Sequence, residues 1–227
     1  GATDEDGSFV LGTKSLTVDN VAPAVVLSGA DATDEGASYT LNLVGSDAAG
    51  ASDTLSYSID WGDGSAPQVL SDAELTALAG NVTHTFADDE DGPVNATART
   101  IVVTVSDEDG GSSSSNKSVT VNNVAPTLTA SGAAVATVGV VYTLNLSNYV
   151  DPGTDTLLAD GISVDWGDGT TTTHSVLGDV THTYATTGTP TISVSLTDED
   201  GTFADVATVA VAVGAAAATV SIAGQPA

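Results

Sequence analysis

Short runs in which apolar and polar residues alternate recur along most of the chain. Examples are YTLNL, which begins at Tyr39, and IVVTV, which begins at Ile101. Alternation with a period of two places the apolar side chains on one face of an extended segment, so each run predicts a half-buried β-strand. Clusters of Gly, Asp and Ser separate the runs and predict turns. A short helical turn is predicted over residues 71–80, where Ser71 can cap the first turn and Glu74 follows three residues later.

Several of these segments occur twice. NVAPAVVLSG, from Asn20, returns as NVAPTLTASG, from Asn123, and Asp-Trp-Gly-Asp-Gly occurs at Asp60 and again at Asp165. Self-similarity of this kind indicates a tandem array. We therefore predict two full repeats, with the last hairpin of a preceding repeat before them and the first strand of a following repeat after them: residues 23–123, 124–214, 1–22 and 215–227, respectively.

The predicted fold class is all-β. Each repeat contains about seven short alternating segments, which is typical of a two-sheet sandwich of the immunoglobulin type. A repeat of this length can bury a core of its own, so the array is expected to be a row of separate β-sandwiches. The tryptophan of each Asp-Trp-Gly-Asp-Gly motif ends an alternating strand and is in phase with the core residues. The Gly-Asp-Gly that follows predicts a tight turn.

The order of motifs resembles the PKD domain family. Asp-Trp-Gly-Asp-Gly is followed by His-Thr-aromatic and then by an alternating strand that ends in Asp-x-x-Gly. The matching residues are Trp61, Gly62, Asp63, Gly64, His84, Thr85, Phe86 and Asp107 in the first repeat, and Trp166, Gly167, Asp168, Gly169, His182, Thr183, Tyr184 and Asp198 in the second. The resemblance implies an immunoglobulin-like spacer or binding module of large extracellular proteins, such as surface layers, adhesins and secreted hydrolases.

The charge of the chain restricts its partners. Thirty acidic residues stand against three basic ones, which gives a net charge of −27. Such a surface disfavours nucleic acid and anionic membranes, both of which attract cationic proteins. It suits metal cations, or a salty medium that screens the repulsion. The chain contains no Cys, which excludes disulfides and thiolate metal sites. No apolar run reaches the ~18 residues that a membrane span requires.

Catalysis is not expected. Paired carboxylates recur on the turns of both repeats, whereas an active site is expected once. His84 and His182 occupy the same motif position on a strand, where we expect each ring to bond a neighbouring loop. The sequence contains no Gly-rich phosphate loop and no His/Cys metal cluster.

The acidic turns are candidate calcium ligands, because Ca²⁺ takes six to eight oxygen atoms from carboxylates, carbonyls and amides. The alternative is that these residues only solubilise turns, as Asp commonly does. The candidate ligands are Glu35, Asp47, Asp53, Asp88, Asp89, Glu90, Asp91, Asp107, Asp109, Asn122, Asn123, Asp151, Asp155, Asp198 and Asp200.

The expected topology gathers these turns at the boundary between repeats. Successive strands of a sandwich alternate in direction, so the second-to-third and sixth-to-seventh strand loops lie where the chain enters. The first-to-second strand turn and the ADDEDG loop, from Ala87, lie at the opposite end. The loops of one repeat should therefore meet those of the next around Asn122 and Asn123, an arrangement similar to the calcium-bound linkers of cadherins.

Two classes of function follow from these patterns. The first is a structural extender of a long extracellular repeat protein (adhesin, surface layer or filament), stiffened by calcium, whose partners are neighbouring repeats or other copies of the chain. The second is an accessory module of a secreted hydrolase that binds an extracellular glycan or protein. The second class predicts an exposed aromatic cluster on a sheet face.

Overall fold

The computed structural model describes residues 2–9, 12–89 and 95–217. Near its beginning, β1 (Ala2–Asp4) and β2 (Gly7–Phe9) form an antiparallel hairpin. Residues 12–23 follow in an irregular, largely exposed conformation. Within the predicted last segment, residues 215–217 are irregular and residues 218–227 lie outside the described part of the chain.

The first sandwich consists of a three-stranded sheet, β3-β5-β8, and a five-stranded sheet, β4-β10-β9-β6-β7. A 3₁₀ turn, Gly50–Ser52, lies between β5 and β6. The elements are β3 (Ala24–Gly29), β4 (Ala32–Asp34), β5 (Ser38–Ser46), β6 (Ser56–Asp60), β7 (Gln68–Ser71), α1 (Asp72–Ala77), β8 (Asn81–Thr85), β9 (Ala96–Ser106) and β10 (Ser112–Asn122).

The second sandwich repeats this arrangement with a three-stranded sheet, β11-β13-β16, and a four-stranded sheet, β15-β14-β17-β18. A short parallel pair, β12-β19, corresponds to the pairing of β4 with β10 in the first sandwich. The elements are β11 (Thr127–Gly132), β12 (Val135–Thr137), β13 (Val141–Val150), β14 (Ile162–Asp165), β15 (Thr171–His174), β16 (Gly178–Thr183), β17 (Thr191–Thr197), β18 (Thr202–Ala210) and β19 (Ala212–Gly214).

The all-β, immunoglobulin-like prediction is confirmed. The first strand of each repeat divides into two pieces that join different sheets, β3 with β4 and β11 with β12. A tyrosine packs against the glycine that ends the first piece, and its hydroxyl donates to the next carbonyl, 3.0 Å from Tyr39 Oη to Ala30 O. Tyr142 and Ala133 repeat this bond at 3.0 Å. The buried phenol thus fixes the point at which the chain crosses between the sheets.

Each sandwich has its own apolar core. One cluster of buried residues lies within residues 39–121 and the other within residues 128–213. Trp61 and Trp166 are 1% and 0% exposed, so both tryptophans face inward as their phase predicts. The predicted helical turn is also confirmed as α1, where Ser71 and Glu74 form a reciprocal capping box.

Candidate metal centre

The two sandwiches meet end to end. We call the end at which the chain enters a sandwich its upstream end, and the opposite one its downstream end. The β4–β5 turn and the β8–β9 loop form the downstream end of the first sandwich. The β13–β14 and β17–β18 loops form the upstream end of the second. The Thr154 amide donates to the Ala87 carbonyl across the junction, at 2.9 Å.

Three carboxylates from both sides of this junction come together. Glu35 and Asp88 belong to the first sandwich and Asp155 to the second, and one oxygen atom of each lies within 4.8 Å of the others. We call these residues the junction triad. Two oxygen atoms on opposite sides of a Ca²⁺ ion are about 4.6–5.2 Å apart, given Ca–O distances of 2.3–2.6 Å. The spacing of the junction triad is therefore compatible with one shared cation.

A second group lies beside the first, entirely within the upstream end of the second sandwich. Ligand atoms of Asp151, Asp155 and Asp198 are also within 4.8 Å of one another, and we call these residues the inner triad. The Tyr149 hydroxyl donates to Asp151 Oδ2 at 2.8 Å. The amides of Asp200 and Gly201 donate to Asp198 Oδ1 at 3.0 and 3.1 Å, which holds that carboxylate in place.

The backbone leaves room for the two triads to approach. A side chain added at Gly153 would place its Cβ 2.6 Å from Glu35 Cδ and 3.0 Å from Asp155 Oδ2. A Cβ added at Gly36, whose φ is +65°, would lie 2.2 Å from the carbonyl oxygen of Pro152. Glycine is therefore a steric requirement at Gly36, where the obstacle is backbone, whereas a Cβ at Gly153 would displace the carboxylates of Glu35 and Asp155.

Hydrogen bonds also fix the carboxylate of Glu35, which is 1% exposed. Its Oε1 accepts from the Val124 amide at 2.6 Å, and its Oε2 accepts from the Asp89 amide at 3.2 Å. Arg99 donates to the Asp89 carbonyl from the adjacent strand. Glu35 is therefore tied both to the linker that follows the first sandwich and to the β8–β9 loop.

Ionisation of this cluster is unfavourable without a cation. Burial, with the negative charge of Glu35 nearby, raises the pKa of Asp155 to about 8. Burial and neighbouring carboxylates raise the pKa of Asp200 to about 7. Burial likewise raises the pKa of Glu35, Asp151 and Asp198. A bound divalent cation would offset these costs by favouring the charged form of each ligand.

The upstream end of the first sandwich carries a related group. Ligand atoms of Asp47, Asp53 and Asp107 lie within 4.8 Å of one another, and we call these residues the first-sandwich triad. Asn20 donates to Asp107 Oδ2 at 2.8 Å. Asp109 is exposed and lies beside a cleft lined by residues 18–21 and the β5–β6 loop.

The remaining predicted ligands behave differently from one another. The amide of Asn122 donates to Asp34 Oδ1 at 3.1 Å, so its NH₂ group is engaged outside the triads. The side-chain atoms Nδ2 and Oδ1 of Asn123 are shut off from solvent and have no hydrogen-bond partner. Asp200 is 4% exposed, and its charge neighbours are Asp198, Glu35, Asp88 and Asp89. Glu90 and Asp91 lie outside the described residues.

The His and Asp residues of the repeated motif form a separate unit in each sandwich. The His84 ring stacks on Trp61 with centroids 4.5 Å apart, and its Nε2 lies 2.6 Å from Asp63 Oδ2. His182 stacks on Trp166 at 4.8 Å and lies 2.7 Å from Asp168 Oδ2. Each histidine thus bonds the neighbouring tight turn, as predicted, and connects that turn to the core.

The second sandwich agrees with a known family over its whole extent. Residues 123–213 match the family model of the PKD domain. This sandwich is a PKD domain. PKD domains are non-catalytic, immunoglobulin-like modules that are typically extracellular. The first sandwich shares the motif and the Trp–His–Asp unit of the matched PKD domain. A comparison of the chain with curated proteins gave no match.

Some residues of the centre were not among the ligands predicted from sequence. These residues are Tyr149, Gly36 and Gly153, whereas Asp89, which is 0% exposed, belongs to the ADDEDG loop of candidate ligands. Tyr149 follows the alternating part of β13, and Gly153 stands between two predicted ligands, Asp151 and Asp155. Of these two positions, only Gly153 could have been found from the sequence.

Among the described residues of both sandwiches, no helix is long and apolar enough to cross a membrane.

Proposed function

We propose that the chain is an extender segment of a long extracellular repeat protein, such as an adhesin, surface layer or filament, and that calcium stiffens the junction between its sandwiches. The observation that carries the proposal is the junction triad. Glu35 and Asp88 can reach an ion held by Asp155 only when the two sandwiches are docked end to end. An ion bound there therefore favours one relative orientation of the sandwiches.

Calcium is the cation that the donor set favours. The triads offer only carboxylate oxygens. Hard oxygen ligands on flexible loops suit Ca²⁺, whereas Mg²⁺ requires a stricter octahedron and retains several waters. Without a cation, those carboxylates of the cluster that remain ionised repel one another within a Debye length of ~8 Å, which opposes docking of the sandwiches.

The alternative, a glycan-binding accessory module, lacks support in the described residues. A glycan platform requires an exposed aromatic cluster, but Trp61 and Trp166 lie in the cores and pack edge-to-face against Tyr39 and Tyr142. The large apolar residues exposed on the described surface are mostly valines and leucines. A structural role therefore agrees better with these surfaces.

Small-angle scattering and thermal melting of the 227-residue chain test the proposal, with Ca²⁺ and with a chelator. We expect Ca²⁺ to reduce the flexibility of the particle and to raise the melting temperature of the second sandwich. A double variant, Asp198→Asn with Asp200→Asn, should abolish both effects. At a hundredfold excess over its Kd, one ion that binds only the folded state adds about 2.7 kcal/mol of stability.

Asp160→Asn is the matched control. Asp160 is exposed in the second sandwich, belongs to neither triad there, and has a φ of +59° that asparagine also tolerates. The same chemical change at this position should leave the response to Ca²⁺ unaltered. If scattering and melting of the wild-type chain are the same with Ca²⁺ and with chelator, the proposal is wrong.

A further inference from the structure

The junction triad and the inner triad have one residue in common. Asp155 contributes to both groups, together with Glu35 and Asp88 on one side and with Asp151 and Asp198 on the other. The two oxygens of one carboxylate can bind two different cations. The sharing of Asp155 therefore raises the question of how many ions the junction binds.

The environment of Asp155 favours a bridging role. Both of its carboxylate oxygens are shut off from solvent, and neither has a hydrogen-bond partner. By contrast, Asp151 and Asp198 each direct one oxygen to a protein donor and leave the other, Asp151 Oδ1 and Asp198 Oδ2, without one. Asp151 and Asp198 therefore each present one unpartnered oxygen, whereas Asp155 presents two, one for each ion.

Asp200 gives an independent indication that this cluster binds a cation. The residue is 4% exposed, and neither of its carboxylate oxygens has a hydrogen-bond partner. Burying an ionised carboxylate with no partner is costly unless a cation compensates for it. Its charge neighbours include Glu35 and Asp88 of the junction triad and Asp198 of the inner triad. A cation that compensates for the charge of Asp200 would therefore lie close to both triads.

The number of charges favours two ions over one. Within the described part of the chain at least seven carboxylates converge on the junction: Glu35, Asp88, Asp89, Asp151, Asp155, Asp198 and Asp200. Two divalent cations bring four positive charges to this cluster, and one brings only two. A single ion at the junction triad would also leave Asp151 Oδ1 and Asp198 Oδ2 buried without a partner.

We propose that the junction binds a pair of calcium ions, with Asp155 as the ligand that bridges them. This inference rests on the proposed function, since it specifies how the calcium of that junction is held. The inner ion binds Asp151, Asp155 and Asp198, and the outer ion binds Glu35, Asp88 and Asp155. Asp200 contributes its negative charge to both.

The two ions have different roles because of where their ligands come from. All ligands of the inner ion belong to the second sandwich, so this ion binds whether or not the sandwiches are docked. The outer ion needs ligands from both sandwiches, so its binding is coupled to docking. The inner ion also neutralises carboxylates next to Asp155, which prepares the upstream end of the second sandwich to receive the first.

Native mass spectrometry of the 227-residue chain at saturating Ca²⁺ counts the bound ions. The first-sandwich triad can add ions of its own, so each variant is compared with the wild-type count. We expect Glu35→Gln and Asp151→Asn each to lose one ion and Asp155→Asn to lose two. Asp160→Asn should lose none. Scattering should show that Glu35→Gln loses the stiffening by Ca²⁺.

The possible results separate this inference from the proposed function. If Glu35→Gln and Asp155→Asn each lose one ion and Asp151→Asn loses none, the junction binds a single calcium, and the bridged pair is wrong while calcium stiffening stands. If Glu35→Gln, Asp151→Asn and Asp155→Asn each lose one ion, the two ions bind independently and Asp155 does not bridge them. If Glu35→Gln loses no ion and Ca²⁺ does not stiffen the wild type, both proposals are wrong.

Discussion

The two sandwiches share a core and a motif but differ at their ends. Asp109 and Asp200 are the same position of the Asp-Glu-Asp-Gly motif, yet Asp109 is exposed and Asp200 is 4% exposed. The cause is the neighbour of each residue. Asp200 faces Glu35, Asp88 and Asp89 of the first sandwich, whereas Asp109 lies beside the irregular residues 18–21.

The downstream ends differ even more in chemistry. Glu35 N and Val138 N make the same backbone bond, to Asn122 O at 3.0 Å and to Gly214 O at 2.9 Å, so the two residues are equivalent. Thr186 follows Tyr184 at the same distance as Asp88 follows Phe86. The second sandwich therefore has valine and threonine where the first has the carboxylates of the junction triad. One fold thus presents two carboxylates of the junction triad at the downstream end of one copy and uncharged side chains at the same two positions of the other.

The largest expected effects test whether the apolar cores of the two sandwiches are equivalent. Trp61→Ala and Trp166→Ala should each destabilise their own sandwich by about 3–5 kcal/mol, because each removes a buried ring and leaves a cavity. Both indoles are fully buried, stack on a histidine and donate to a side chain, Gln68 at 3.3 Å and Thr172 at 3.0 Å.

Chemical denaturation monitored by the remaining tryptophan, with calorimetry for the altered sandwich, measures these costs. Costs that differ by more than about 2 kcal/mol would contradict the equivalence of the two cores.

Two equivalent glycines test whether the difference lies at the ends. Gly36 and Gly139 have φ of +65° and +75°, so alanine at either position costs about 1–2 kcal/mol of backbone strain. A Cβ at Gly36 would also lie 2.2 Å from Pro152 O, whereas a Cβ at Gly139 meets nothing within 4 Å.

We therefore expect Gly36→Ala to abolish the stiffening of the chain by Ca²⁺ and Gly139→Ala to leave it intact. Scattering with Ca²⁺ and with chelator, combined with melting curves, separates strain from loss of docking. Retention of the full response to Ca²⁺ in Gly36→Ala would show that this close approach does not support the junction.

The smallest expected effect concerns the His–Asp pairs, which should behave alike in both sandwiches. Burial alone would raise the pKa of Asp63, but hydrogen bonds from Ser65 and His84 lower it to about 2. The pKa of Asp168 is lowered in the same way by Thr170 and His182, against the effect of burial. An aspartate with a lowered pKa in the folded state contributes stability above its unfolded pKa of about 4. This contribution is lost as the pH falls toward 2.

Asp63→Asn and Asp168→Asn should each cost about 1 kcal/mol at pH 6 and much less at pH 2. Urea titrations with chelator at both pH values measure the difference. An undiminished cost at pH 2 would mean that the carboxylate acts through packing and not through its charge.

The sequence by itself determined the fold class, the core positions and the short helix. These features depend on the alternation of apolar and polar residues, on turn residues and on helix caps. All three involve residues close together in sequence, such as Ser71 and Glu74 of the capping box. The division of the first strand was not predicted, because it depends on Tyr39 packing against Gly29, and no local pattern marks that contact.

Only the tertiary structure decided which acidic residues act together. Thirty acidic residues are spread through the chain, and the expected topology predicted only that certain acidic loops would meet, not which of their carboxylates share an ion. Asp88 and Asp155 became neighbours because two separate sandwiches dock end to end, with Gly36 and Gly153 allowing their backbones to approach. The shared position of Asp155 depends on distances of a few ångströms between loops that are far apart in sequence, and such distances are set by packing.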